Sequence, residues 1–479
     1  MHSPSPEPTA PAPAADIDTQ SLWSALRAAL RGREFDYTKG SLPRAVLLLA
    51  VPMVIEMGME SLFAVADAWF VKERGEDALA AVALTEAMST IVYAIAIGLS
   101  MATTSLVARR VGAGDLDGAR RAAGQAIRVG VLLGVLLGIP CALFPGDLLG
   151  LMGGSERVRE TGAGYAGFVL GGNVVILLLF LNNAIFRGAG DAVIAMKALV
   201  VSNAANLVLD PCLIFGIGPF PELGVTGAGL ATLIGRSLGV AYQFHALRDR
   251  GRRVHLAPGV LRHHASDVRE LLRTSYGGVG QFLLATASWM VLVRIVAPFG
   301  DAALAGHQVG VRIVMFTILP AFGLSNATAT LVGQNLGAGK VDRARRSIWL
   351  VGLWNMAFMG VVAVVFIAFA PELVALFAEE ATDRATMERV GVECLRIISY
   401  GYLFYAWGMV AMQAFNGAGK TIIPTWLNFI CFWIVEVPLA WALAHPAGLG
   451  TAGVYWSVAI SESLLAVLSI VVMRRVRWG

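Results

Sequence analysis

Cysteine is nearly absent: Cys141, Cys212, Cys394 and Cys431 are scattered through apolar runs of a 479-residue chain. That spacing fits neither a disulfide framework nor a CxxC metal site, and the four read as core packing. Charge is scarce as well, since Asp, Glu, Lys and Arg make up 15% of the residues against 57% hydrophobic. A soluble protein of this length needs more polar surface, so the expected solvent is a bilayer. The net charge of +4 marks no nucleic-acid face, because the basic residues gather in particular short loops.

Enzyme signatures are missing too. GAGKT at 417–421 lacks the first glycine of a phosphate-binding loop, having Ala414 there, and the GAG triplets at 112, 188 and 337 lack the third glycine of a dinucleotide fingerprint. His263 and His264 have no acid or cysteine at ligand spacing. A membrane-embedded transferase would need a clustered acidic metal motif or a His and Asp pair, and none is found. The expectation is a non-enzyme with no cofactor and no resident metal.

What the chain does have is apolar runs. About 20 apolar residues cross roughly 30 Å of hydrocarbon, and such runs predict spans over 43–71, 78–106, 121–144, 162–186, 193–216, 224–247, 274–298, 303–332, 347–370, 392–416, 421–443 and 449–472. The fold expected is an all-α integral membrane protein of 12 transmembrane helices in two pseudo-symmetric six-helix bundles. The units are a disordered tail at 1–40, an N-lobe at 41–248, a linker at 249–273, a C-lobe at 274–472 and a basic tail at 473–479. No leader with a cleavage site is apparent, so the first span directs insertion. Loops rich in base, among them Arg109 to Arg121, Arg248 to Arg273 and Arg474 to Arg477, belong inside. Those holding only Lys72, Arg74, Arg157, Arg159, Arg384 and Arg389 belong outside. Both termini are therefore expected in the cytoplasm and the chain in the inner (plasma) membrane.

An internal repeat organises the two halves. GLSMATTSLVARRVGAGDLDGARR at Gly98 to Arg121 and GLSNATATLVGQNLGAGKVDRARR at Gly323 to Arg346 match at most positions with a constant offset. FRGAGD at 186 echoes FNGAGK at 415. Six helices per repeat keep both halves in one orientation, related by an axis along the membrane normal, with a cleft between them.

These residues resemble the multidrug and toxic compound extrusion (MATE) family. The likeness runs from about residue 43 to 472 and rests on VADAWFV with LAAVALTEA, the doubled LVxxxxGAGxxxxARR elements, FRGAGD, NLVLDP at 206, AGHQVG at 305 and GAGKTIIP at 417. It implies export of amphipathic, often cationic small molecules in exchange for H+ or Na+, with two lobes opening alternately. No nucleic-acid partner is implied, and an enclosed two-lobe path lets a monomer work. A lipid-linked oligosaccharide or lipid flippase of the same superfamily is the competing reading, although such a cleft would carry more basic side chains.

Carboxylates inside hydrocarbon are costly and so mark function. Glu56, Glu60 and Asp67 fall within about 40° of one another on the first span. They either work as coupling groups, or merely line a wet cavity or pair with Arg294 or Arg312. Asn206 and Asp210, four residues apart, share one side of the fifth span, and Asp210 reaches the depth of Asp67. The resemblance, closest here to the DinF-like branch, implies a cation site of Asp67, Asn206, Asp210 and a hydroxyl from the sixth span, Thr232 or Thr226. Alternatively, LDP simply caps a helix broken at Pro211. Like charges in one poorly solvated pocket disfavour a second ionisation, so proton uptake near neutral pH is expected. The family's other branch adds acids in the seventh span and after FxGxG, where this chain has Gln281 and Lys420. That departure favours N-lobe coupling. Gln281, Arg312 and Glu436 remain candidates for the cavity and substrate, and Arg312 is expected to counter a buried acid. His307, and aromatic or Met residues such as Trp289, Met290, Tyr402 and Trp407, could line the cleft or simply pack.

Overall fold

Hydrocarbon leaves backbone polar groups no partners but one another, and this chain responds with helices throughout. The computed structural model describes residues 21–32, 34–72, 74–257, 259–377 and 383–478, with 22, 29, 61–69, 71 and 72 described by backbone alone. The N-terminal half holds α1 (Leu22–Leu30), α2 (Leu42–Lys72), α3 (Glu76–Gly112), α4 (Leu116–Leu143), α5 (Pro145–Leu151), α6 (Glu156–Gly171), α7 (Asn173–Ala189), α8 (Ala192–Phe215) and α9 (Val225–Leu247). The C-terminal half holds α10 (Ala265–Val296), α11 (Asp301–Gly337), α12 (Val341–Ala375), α13 (Arg384–Tyr400), α14 (Tyr402–Gly417), α15 (Ile422–Asn428), α16 (Val437–Ala444) and α17 (Thr451–Arg475). Each of the twelve anticipated spans coincides with a helix or helix pair, and among the described residues ten are long and apolar enough by themselves to cross a membrane.

Three spans are interrupted where continuous helices are expected. The fourth breaks at Gly172 and the tenth at Gly401, equivalent glycines of the repeat. A methyl on Gly172 would sit 2.6 Å from Leu233, and one on Gly401 would sit 3.2 Å from Ala459, so the neighbouring helices press in at these points. The eleventh carries a π-helical turn, Phe429–Glu436, just before Pro438. Proline has no N–H to give the preceding turn, and the mismatch is taken up upstream as wider turns. The linker also shortens, because α10 begins at Ala265 and its first turns join the other half: Asp267 and Glu270 pair with Arg110 at 2.8 and 3.3 Å, and Glu270 pairs with Arg109 at 3.0 Å.

The two repeats meet at the end of the molecule that carries the basic loops. A Cβ on Gly112 would lie 1.9 Å from Gln334 O, and one on Gly337 1.9 Å from Arg109 O, so α3 and α11 cross with backbones in contact at repeat-equivalent glycines. From residue 21, the expectation of a disordered tail to residue 40 is corrected. Phe35 and Tyr37 are 1% and 2% exposed and join the core formed by α2, α11 and α14. Residues 34–40 form a strap across the two halves. Arg253 N–H donates to Glu34 at 3.1 Å, and the Tyr37 ring packs on Gly190, which Gln334 also approaches. Lys340 Nζ donates to Thr38 O at 2.8 Å, and Arg343 donates to Lys39 O and Gly40 O at 2.8 Å each. The buried rings of Phe35 and Tyr37 help to anchor it, a signal that the Pro-rich start of the chain masks. Beside the strap, Asp191 pairs with Arg252. Burial raises the Asp191 carboxyl to about 7 against the pull of that guanidinium.

Candidate functional site

The helix pair α8 and α9 builds the first candidate. Asn206 and Asp210 are one turn apart on the buried stripe of α8, 2% and 1% exposed. The two helices approach closely because α9 has glycine opposite: a Cβ on Gly235 would sit 2.7 Å from Ser202 O and 3.0 Å from Asn206 Cβ. Asn206 Nδ2 then donates to both Asp210 Oδ1 and Thr232 Oγ1, at 3.2 Å each. Thr226 packs against Gly164 instead. Asp67 is on α2, whose backbone runs along α8, but its side chain lies outside the described residues. With the amide protons of Asn206 spent, Asn206 Oδ1 is buried and has no hydrogen bond among the described residues. The cluster therefore presents oxygens, which suits a proton or a small hard cation.

A second polar layer lies deeper in the same half. Glu56, 2% exposed, accepts from Asn183 Nδ2 at 3.2 Å and faces Arg187 at 3.7 Å. Gln243 donates to Asn183 Oδ1 at 2.6 Å and completes the chain. Glu60 is exposed, with Arg236 and Arg187 as its charged neighbours, and Arg236 donates to Tyr93 at 3.0 Å. The alternative partners of these acids are thus corrected. Arg294 and Arg312 are exposed and have no ion pair among the described residues. On α11 the buried stripe passes through Gly306, Gly310, Ile313 and Val314 against α13, and position 312 falls off it. Arg187 lies just past the fourth anticipated span, 162–186, yet its long side chain reaches back to Glu56.

In the other half Gln281 does not face a cavity. It donates to Asn416 Oδ1 at 3.1 Å and Thr421 O at 2.9 Å while accepting from Asn416 Nδ2 at 3.2 Å, which spends its amide on holding α10 to α14. Glu436 is 2% exposed and accepts from Ser461 at 2.9 Å. Glu462, 7% exposed on α17, goes unnoticed in the sequence, although the rule that singles out Glu56 applies equally to an acid inside the twelfth span. His307 stacks on Tyr455 with centroids 5.8 Å apart. Tyr402 and Trp407 are core residues, whereas Met290, Phe316 and Phe404 are exposed.

Comparison with known proteins agrees with this architecture. The MatE family matches residues 52–212 and 279–442. A probable multidrug resistance protein NorM of Thermotoga maritima is 27% identical over 415 residues, 86% of this chain and 88% of that protein. An FAD transporter of Shewanella oneidensis is 25% identical over 398 residues, 83% and 87% of the two chains. A solved outward-facing multidrug resistance MATE family transporter of the MOP superfamily superposes with a TM-score of 0.85 at 26% identity, covering 92% of this chain and 96% of its own.

Proposed function

Because this chain belongs to the MatE family of multi-pass membrane transporters, we propose that it is a cation-coupled antiporter exporting amphipathic, often cationic small molecules, with Asn206, Asp210 and Thr232, joined by Asp67, as the coupling site. One observation carries the reading: a buried asparagine spends both amide protons on a carboxylate and a hydroxyl, which leaves oxygens for a proton or Na+. Cation binding removes the charge that makes a buried carboxylate costly. Helix α2 is suited to respond, since Pro52 gives no N–H to the turn before it and leaves a flexible point between the strap and Glu56. A differential docking of α2 in the two charge states is all that coupling requires. Deeper in, Glu56 and the exposed Glu60 are groups that a cationic substrate could meet.

The test is efflux of a fluorescent cation from proteoliposomes under a pH gradient and, separately, a sodium gradient. Asp210→Asn and Asp67→Asn are expected to abolish gradient-driven efflux at unchanged protein level and melting temperature. Undiminished efflux in both variants would remove the reading. A second reading is export of an anionic compound, as the name of the Shewanella relative suggests for that protein. Its support is the exposed pair Arg294 and Arg312, which have no carboxylate partner among the described residues. Competition by anionic against cationic compounds in the same vesicles separates the two.

A further inference from the structure

The C-terminal half contains a buried carboxylate pair that the coupling site above leaves unused. Glu436 closes the π-helical turn, a geometry that recurs at functional sites, and Glu462 lies midway along α17. Ser461 donates to Glu436 Oε2 at 2.9 Å. Helix α17 packs on the π-helical turn, and Ser461 directly precedes Glu462, so the two acids belong to one helix contact. Glu462 itself is 7% exposed and has neither a hydrogen bond nor an ion pair among the described residues. Its carboxylate instead lines a small cavity with Trp289, Ile318, Tyr402 and Tyr405.

Every element around that cavity bears on its charge. Helix α14 brings the two tyrosine hydroxyls, the π-helical turn brings Cys431 and Glu436, and α17 brings Ser461 and Glu462. The lining faces of α10, α11 and α13 bring only Trp289, aliphatic side chains and Gly401. Among the described residues neither acid has an ion pair with a basic group, and two buried ionised carboxylates in such surroundings are untenable. The missing positive charge has to come from a bound cation. With aromatic and aliphatic walls in place of a cage of oxygens, the occupant that needs no coordination shell is a proton.

We propose that Glu436 and Glu462 form a second coupling site that binds one proton, taken from water on one side and released on the other. The site differs from the C-lobe positions that the family resemblance implies, which are Gln281 and Lys420 here. Its part in transport rests on the antiport reading, but its chemistry does not.

Infrared difference spectroscopy of the full chain in nanodiscs reads the proton directly. At neutral pH a protonated-carboxyl band is expected that vanishes in Glu462→Gln, is lost or displaced in Glu436→Gln, and persists in Asp210→Asn and on addition of sodium. In proteoliposomes with a gradient of about one pH unit, Glu462→Gln is expected to lower the steady-state substrate gradient about tenfold, the factor one proton contributes per pH unit. Glu462→Asp should restore part of the loss, which a mere packing defect would not permit. A band that survives both glutamine substitutions, or that sodium abolishes, overturns the proposal, as does an unaltered substrate gradient in Glu462→Gln. If the band behaves as expected and no cation gradient drives efflux, the bound proton stands and the antiport reading alone fails.

Discussion

Asp191 gives the clearest pH dependence at the level of single residues. Its carboxyl titrates at about 7 in the folded protein against an ordinary value of 3.8. Between those values the folded state holds a proton that the unfolded chain has lost, so stability falls as pH rises across the window. The contribution is complete below the ordinary value and gone above about 7. The melting temperature of wild type is therefore expected to decline between pH 4 and pH 7 relative to Asp191→Asn, whose amide does not titrate. Parallel curves would contradict this. Residue types were legible in the sequence, and their partners were less so. The four-residue spacing of Asn206 and Asp210 gave away their shared face, yet Glu56 meets Arg187 instead of Arg312 because helix rotation within a bundle leaves no trace in a periodic apolar run.

Among the elements, each interruption answers to a local cause that the sequence does contain. Gly172 and Gly401 sit at matching points of the repeat, and Pro438 follows the π-helical turn. Hydropathy alone reads through all three, since a break costs no apolarity. The crossing of α3 and α11 is the most demanding contact, and Gly337→Ala would place a methyl 1.9 Å from Arg109 O. Overpacking of this kind is expected to destabilise the closed contact by about 1–3 kcal/mol. Spin labels at the basic ends of α3 and α11 should then report a longer, broader distance distribution. Gly58→Ala is the control, because nothing lies within 4 Å of its added carbon. A distribution identical to wild type in Gly337→Ala would show that the crossing tolerates a side chain.

For the molecule as a whole, the doubled sequence elements foretold the two halves and the twelve crossings but not the strap of residues 34–40 that ties them. Tyr37 packs on Gly190 beside Gln334, so Tyr37→Ala should loosen the basic end and raise labelling of a cysteine placed at Gln334. Unchanged labelling would mean that the strap is ornamental. Lys340 and Arg343 grip the strap through main-chain oxygens, those of Tyr37, Thr38, Lys39 and Gly40. Those bonds do not depend on the exposed side chain of Lys39: alanine there should be nearly silent in the same labelling assay, and Arg343→Ala should not. At these bonds the fastening recognises the path of a chain, so selection should be felt by the hand that holds and by the two rings Phe35 and Tyr37, and scarcely at Lys39.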